Sequence, residues 1–354
     1  MPLILAIESS CDETSVSIVK ASRGSFDILS NVISSQVKTH AKTGGIVPEV
    51  AARLHVKNIL PVLDNALKLA KTKIQDIDSI AVCSGPGLVS SLMVGVETAK
   101  TLALVHNKPL IKVNHIEGHI LAVLEKQKIT FPAIALVVSG GHTQIIHVKQ
   151  PGKYKLIGQT RDDAAGEAFD KSAKIMGLSY PGGPSISTEA EKVIDPRSLP
   201  AGRHGAIHVP QLPRPMLNSD NFDMSFSGLK TAVRYEWRDL LAKGKISNKQ
   251  RAAFAQEFQN AVVDVLVSKT LKAVEKYKVK TLVLGGGVSA NKALKKGFET
   301  ERKQHFPNLK FFVPEFQMTG DNAGMIGIAA YFHHQQKDFI HPTKLKADPN
   351  WELV

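Results

Sequence analysis

The 354-residue sequence predicts an α/β fold built from two similar halves. Three observations carry that expectation. An apolar run, a polar turn and a second apolar run occur twice, far apart in the chain. Apolar strands ending in glycine turns are followed by helical patterns, the arrangement in which loops at strand ends bind ligands. Aromatic residues are sparse at 6% while glycines number 26, a balance that favours α/β architecture over an aromatic-rich β-sandwich.

The first hairpin runs as a strand over 3–7, a polar turn from Glu8 to Thr14, and a strand carrying Val16, Ile18 and Val19. The second has a strand over 133–138, the turn Ser139-Gly140-Gly141-His142-Thr143, and a strand carrying Ile145, Ile146 and Val148. Ser9 and Ser139 lie 130 residues apart, and Thr14 and Thr143 lie 129 apart. The spacing places a first half at 1–128, a second at 129–335 and a C-terminal tail at 336–354. Within the first half, 80–83 reads as a buried strand closed by Gly85-Pro86-Gly87, and 88–105 as a helix with Leu88, Leu92, Val96, Ala99 and Leu102 at helical spacing. In the second, 250–277 reads as a long amphipathic helix. A strand at 281–284 leads into Gly285-Gly286-Gly287, and another strand spans 310–313. The stretch 195–223, with five prolines and little periodicity, reads as a long loop or a substrate-dependent segment.

Composition narrows the function classes. Hydrophobic residues make up 43% and charged residues 22%, which excludes global disorder. The two cysteines, Cys11 and Cys83, cannot form a disulfide scaffold or a four-thiolate zinc site. No apolar run approaches the ~18 residues of a membrane span. The N-terminal run has no basic n-region and reads as a strand rather than a signal peptide, so the expected location is the cytoplasm, or an organelle after processing. Lys plus Arg is 45 against 32 acids, a net charge of +13. That excess suits polyanionic partners such as nucleic acid or acidic lipid, and equally suits plain solubility.

The segment His115-Ile116-Glu117-Gly118-His119 places two imidazoles on one helical face, separated by roughly 40° around the axis. Alone, it reads as two surface histidines at a helix start, the simpler reading, or as a two-His metal clamp. Glu117 lies roughly 160° away from His115 on the helix, so the zinc-peptidase arrangement H-E-x-x-H is absent. The turns Ser139–His142 and Gly285–Asn291 both follow apolar strands, and their backbone N–H groups can cradle phosphate. Neither is a Walker A or a G-x-G-x-x-G motif. Acidic residues gather at the first hairpin tip (Glu8, Asp12, Glu13), after the second hairpin (Asp162, Asp163, Glu167, Asp170) and at Asp321-Asn322. Asp321 can supply a carboxylate to a metal held by the histidines, an iron- or zinc-type set. Helix capping explains it as well. Lysines at 269–280, 292–303 and in the tail can track phosphates, or form solvated helix faces.

Together these blocks resemble the universal tRNA threonylcarbamoyladenosine transferase family of the TsaD type, within the actin-like ATPase superfamily. The carriers run over nearly the whole chain: Ile7-Glu8-Ser9-Ser10-Cys11-Asp12-Glu13-Thr14, Gly44-Gly45-Ile46-Val47-Pro48-Glu49, Gly85-Pro86-Gly87-Leu88, Asn114 to His119, Val138 to Thr143, Asp162 to Lys171, Tyr180-Pro181-Gly182-Gly183-Pro184, Ser225 to Ala232 and Gly286 to Asn291. The resemblance implies a duplicated actin-like (ribonuclease H-like) ATPase fold, with a nucleotide and metal crevice between the halves. It implies one divalent metal, iron or else zinc, on His115, His119 and Asp321. It also implies an adenylate site at Val138, Ser139, Gly140, Gly141, His142, Asp170, Gly183 and Asn291, with Asp12 and Glu13 beside the reacting group as proton-transfer or orienting residues. The chain departs from the family pattern at Thr43, where a Tyr often stands, at Ser187, where many members carry a carboxylate, and around Gly320.

The activity implied is transfer of threonylcarbamoyl from threonylcarbamoyl-AMP to N6 of the adenosine 3′ to the anticodon, in tRNAs reading codons that begin with A. The implied partners are the tRNA anticodon loop and either a paralogous actin-like subunit with a small ATPase, as in bacteria, or a second copy of the chain. The alternatives are a non-catalytic nucleotide-binding subunit of the same superfamily, which would be expected to lose the histidine pair, and a metallopeptidase.

Overall fold

Both expected hairpins form, and each is the seed of a five-stranded mixed sheet with the same topology. The computed structural model describes residues 1–22, 24–193 and 210–353. In the first sheet, β1 (Leu3–Glu8), β2 (Glu13–Ser22) and β3 (Ser25–Ser35) form an antiparallel meander. β4 (Ser79–Gly85) pairs parallel to β1, and β5 (Leu110–Asn114) parallel to β4. In the second, β6 (Ala133–Val138), β7 (Thr143–Gln150) and β8 (Lys153–Gln159) repeat the meander, with β9 (Thr281–Gly285) parallel to β6 and β10 (Lys310–Phe312) parallel to β9. The orders β3-β2-β1-β4-β5 and β8-β7-β6-β9-β10 are one pattern used twice.

Helices fill three layers around the sheets. α1 (Val37–His40) is one turn, followed by α2 (Pro48–Leu69), which begins on a proline whose missing N–H costs nothing at a helix start. α2 and α3 (Val89–Val105) cover the outer face of the first sheet, where Leu5, Ile7 and Val82 point. Between the sheets lie α4 (His115–Leu121) and α10 (Ala323–Gln335), packed against Ile4, Ala6 and Cys83 on one side and Ala135, Val137 and Val283 on the other. β1 sends alternate residues to two apolar layers, so its sequence is a continuous hydrophobic run. The outer face of the second sheet is covered by α5 (Ala165–Ile175), α6 (Gly182–Ala190), α7 (Ser227–Ala242), α8 (Asn248–Tyr277) and α9 (Lys292–His305). α8 starts with a Ser247/Gln250 capping box. Among the described residues, no helix is long and apolar enough to cross a membrane.

The proline-rich stretch is only partly within view: 195–209 lies outside the described residues. The part that follows has no helix or strand over 210–223, yet α8 fastens it firmly. Arg214 pairs with Glu257 and with Asp264 (3.0 Å), and Leu212 N–H donates to Glu257 Oε1 at 2.9 Å. Lys269 is fully buried, and its ammonium donates to Ser219 O, Ser219 Oγ and Asn221 O at 2.9, 2.6 and 2.7 Å. One lysine of the supposed phosphate-tracking stripe is thus a structural tie. A second, Lys272, donates to the Leu217 carbonyl at 3.0 Å.

Candidate metal centre and nucleotide cavity

The end of β5 runs straight into α4. Asn114 caps the turn, its side-chain oxygen accepting the Ile116 N–H at 2.9 Å. All seven residues of α4 are buried. The simpler reading of the histidine pair, two surface imidazoles, is therefore wrong. His115 Nε2 and His119 Nε2 lie 3.1 Å apart, and Asp321 Oδ1 is 3.5 Å from the first and 3.2 Å from the second. Capping does not account for Asp321. The cap of α10 is its neighbour Asn322, which accepts the Met325 N–H at 3.1 Å.

Surrounding groups orient this cluster. His115 Nδ1 lies 3.1 Å from Glu8 Oε2 and 3.2 Å from Ser10 Oγ, which leaves Nε2 to face Asp321. Burial pulls the His115 pKa down, but Asp321 and then Glu8 overcome it and raise it to about 9. Burial lowers the pKa of His119, against the pull of Asp321. Burial would raise that of Asp321, but the two imidazoles hold it well below the usual carboxylate range. Among the described residues, His119 Nδ1 is buried without a hydrogen-bond partner. Two imidazole nitrogens and a carboxylate oxygen, all within 4.8 Å of one another, are a donor set that fits a divalent metal.

Glu117 points away from the cluster, as helical geometry requires. Its two oxygens accept from Tyr154 OH at 2.7 Å and His333 Nε2 at 2.9 Å. A peptidase general base is missing from the place that chemistry needs. Asp338 Oδ2 takes the other His333 nitrogen, also at 2.9 Å. Burial opposes the charge on His333, but Glu117 and then Asp338 raise its pKa to about 9, from the ordinary 6.5. A raised histidine pKa stabilises the fold fully below 6.5, and the contribution is lost as pH climbs through 9. His333→Gln should therefore cost about 2 kcal/mol at pH 6, allowing for solvent screening at exposed Asp338, and almost nothing by pH 10. Urea unfolding of both proteins across that range measures the difference.

The first hairpin tip lies beside the cluster. Burial, Asp12 and Asp321 push the Glu13 pKa well above its usual value, while Ser35 Oγ donates to Glu13 Oε1 at 2.9 Å. The Asp12 carboxylate is buried, and its charge also raises the pKa of Asp170 and of Tyr180, after burial itself. The charge of Asp12 is therefore felt both at its own hairpin tip and in the second half. His55 of α2 braces the tip, with Nε2 3.0 Å from the Cys11 carbonyl and Nδ1 2.8 Å from Thr14 Oγ1.

Beyond the tip is a cavity of about 470 Å³, walled by Gly140, Phe169, Asp170, Gly183, Gly287 and Asn291, among others. Four of the eight residues assigned to the adenylate site, Gly140, Asp170, Gly183 and Asn291, line it. Asp170 accepts the Gly182 N–H at 2.7 Å and so holds the start of α6 against the cavity. Asn291 caps α9 through Oδ1 and donates through Nδ2 to Ser187 Oγ and Gln259 Oε1, both at 3.0 Å. The other four do not line it. Val138 is buried at the strand end. Ser139 N–H donates to the His142 carbonyl at 2.8 Å, closing the turn that contains Gly141. His142 faces a smaller cavity of about 230 Å³, shared with Gln144 and Trp351. Its ring centroid is 6.5 Å from that of His115, and burial with the neighbouring imidazoles lowers its pKa to about 4.

Several functional neighbours carried no local signal. Glu8 was visible as an acid at the tip, but its contact with His115 crosses 107 positions. The tail folds back onto the end of β4: Asp348 N–H donates to the Ser84 carbonyl at 2.7 Å, and Asn114 Nδ2 to the Trp351 carbonyl at 3.1 Å. Asp162 and Asp163 serve structure. Asp162 accepts from Ser225, Phe226 and Ser227, and Asp163 pairs with Lys171 and Lys230. Glu167 pairs with Lys171 at 2.6 Å.

The family model described as TsaD, tRNA N6-adenosine threonylcarbamoyltransferase, matches residues 27–328. The chain belongs to the TsaD family. The protein of that name from Syntrophomonas wolfei is 46% identical over 349 residues, covering 98% of this chain and 97% of the relative. The one from Lactiplantibacillus plantarum is 44% identical over 351 residues, covering 99% and 95%. Among solved structures, T. kodakarensis HypF aligns with a TM-score of 0.61 at 12% identity, over 97% of this chain and 49% of that one. Component A of (R)-2-hydroxyglutaryl-CoA dehydratase from Acidaminococcus fermentans aligns at 0.52 and 13% identity, over 95% and 100%. At such identities the likeness concerns the fold, and it agrees with the duplicated actin-like architecture.

Proposed function

We propose that this chain transfers the threonylcarbamoyl group from threonylcarbamoyl-AMP to N6 of the adenosine 3′ to the anticodon in tRNAs reading codons that begin with A. Membership of the TsaD family along residues 27–328 carries the reading. The donor nucleotide takes the cavity of Gly140, Asp170, Gly183 and Asn291. His115, His119 and Asp321 hold one divalent metal, iron, with zinc as the other ion suited to two imidazoles and a carboxylate. When bound, the metal supplies a Lewis acid for the carbonyl under attack. The N6 amine is a weak nucleophile, so positioning by the crevice walls supplies much of the rate. Glu13, whose raised pKa keeps a proton available closer to neutral pH, relays protons, and Asp12 orients the reacting group.

The tRNA backbone meets the +13 surface, and the acceptor base leaves its stack in the single-stranded loop at modest cost. The expected location is the cytoplasm. Exposed Val56 and Leu60 on α2 and Met93 and Val105 on α3 support a docked subunit, a paralogue or a second copy. The test is a transfer assay. The purified chain is mixed with synthetic threonylcarbamoyl-AMP and an unmodified tRNA transcript with an anticodon for such codons, and the nucleosides are then analysed by mass. Product from the chain alone supports a self-sufficient transferase. Product only with a bacterial-type paralogue and small ATPase supports a multi-subunit one. No product in either case, with metal bound and tRNA intact, overturns the proposal in favour of a non-catalytic nucleotide-binding subunit.

A further inference from the structure

α4 is only seven residues long, too short to hold its own geometry as a helix, yet it carries both imidazoles. Asp321, the third donor, sits just before a different helix, α10. The mutual placement of the three donors is therefore set by how α4 and α10 are joined. They share an apolar core layer, and two contacts within it involve adjacent residues of α4. Near the start of α10, Gly118 lies against Met325 and Ile326, so closely that a side chain there would meet both at 3.1 Å. Further along is Glu117, which is almost fully buried and has both oxygens engaged, one by His333 of α10 and one by Tyr154 of β8. Ile326 and His333 are seven residues apart, which puts them on one face of α10, about two turns from each other. The two contacts lie about 10 Å apart along α10, and of the two only the Glu117 contact is a polar, directional one.

We propose that Glu117 is a positioning residue for the metal centre: it locks α4 to α10 through His333 and to the second sheet through Tyr154, holding the two imidazoles in register with Asp321. The inference rests on the metal reading above. It concerns the face of α4 opposite the donors, and it assigns a use to the glutamate that the peptidase comparison leaves idle.

The test uses the full chain loaded with cobalt(II), whose visible spectrum reports coordination geometry. Glu117→Gln, Tyr154→Phe and His333→Gln are compared with wild type, and Lys269→Met serves as a destabilised control distant from the donors. For Glu117→Gln the expected result is an altered cobalt spectrum and roughly tenfold faster loss of metal to a chelator, with Tyr154→Phe and His333→Gln each showing part of that effect. Lys269→Met should lower the urea midpoint while leaving spectrum and chelator rate at wild-type values. If Glu117→Gln is folded and its spectrum and metal loss match wild type, the positioning role is overturned. It is equally overturned if metal loss follows the urea midpoint across all four variants, because Glu117 then acts on stability alone. If wild type takes up no metal under any condition, the metal reading itself has failed and this inference falls with it.

Discussion

Replacing His115 and His119 together by alanine is expected to abolish binding at the proposed metal centre and slow transfer by about three orders of magnitude. Both imidazoles are buried, with Nε2 atoms within 3.5 Å of the same Asp321 oxygen. No other imidazole lies closer to them, among the described ring pairs, than His142, 6.5 Å from His115 by ring centroid. Without the imidazoles, Asp321 keeps only Glu8 and Cys83 from the described donor clusters, and the two-nitrogen, one-oxygen set is lost. The electrostatic consequence can be read separately. The histidines keep the Asp321 pKa far below normal against the effect of burial. Without them the effect of burial is opposed only by His142, and the Asp321 pKa should rise. Metal content by elemental mass spectrometry, single-turnover transfer, and the Asp321 carboxyl signal by carbon NMR make three independent readings. Transfer within tenfold of wild type in a folded double variant would show that the cluster is not the reacting centre.

How much of this was legible in the sequence depended on the range of the interaction. The repeated hairpins were legible because β1 and β6 are covered on both faces, and a strand of that kind reads as an unbroken apolar run. The histidine spacing was legible for the same local reason, since a helix places i and i+4 together. Their burial was not inferred, although the cue was present. Ile116, Ile120 and Leu121 surround the pair, and a helix apolar on all sides is an internal one. Asp321 was ambiguous because any acid before a helix can cap it. Only the structure gives that task to Asn322. The partnerships Glu8–His115 and Glu117–His333 span 107 and 216 positions, and no periodicity encodes a pairing across such separations. Lys269 shows the converse error. Its place in a run of lysines suggested a phosphate contact or a solvated helix face, while its three acceptors come from a loop 48 to 50 residues earlier.

The adjacent glycines of the second glycine turn should respond in opposite ways to one methyl group. Gly286 has φ +85°, and a Cβ there would collide with the Val138 carbonyl where β6 and β9 end side by side. Gly286→Ala combines left-handed backbone strain with overpacking against main chain, together costing about 3–5 kcal/mol. The damage would reach further than the turn. The preceding Gly285 lies against the His119 carbonyl with no room for a side chain, so a displaced β9 end drags on α4 and its two donors. Gly287 has open space around its Cβ position and lines the cavity proposed for the nucleotide. Gly287→Ala should leave stability within about 1 kcal/mol of wild type and weaken adenine-nucleotide binding about tenfold by crowding the cavity. Urea unfolding and calorimetric titration with AMP separate the two variants. Equal loss of stability in both would mean that the glycine run serves the turn alone. Unchanged AMP affinity in a stable Gly287→Ala would move the nucleotide out of this cavity, and with it the assignment of Gly140, Asp170, Gly183 and Asn291.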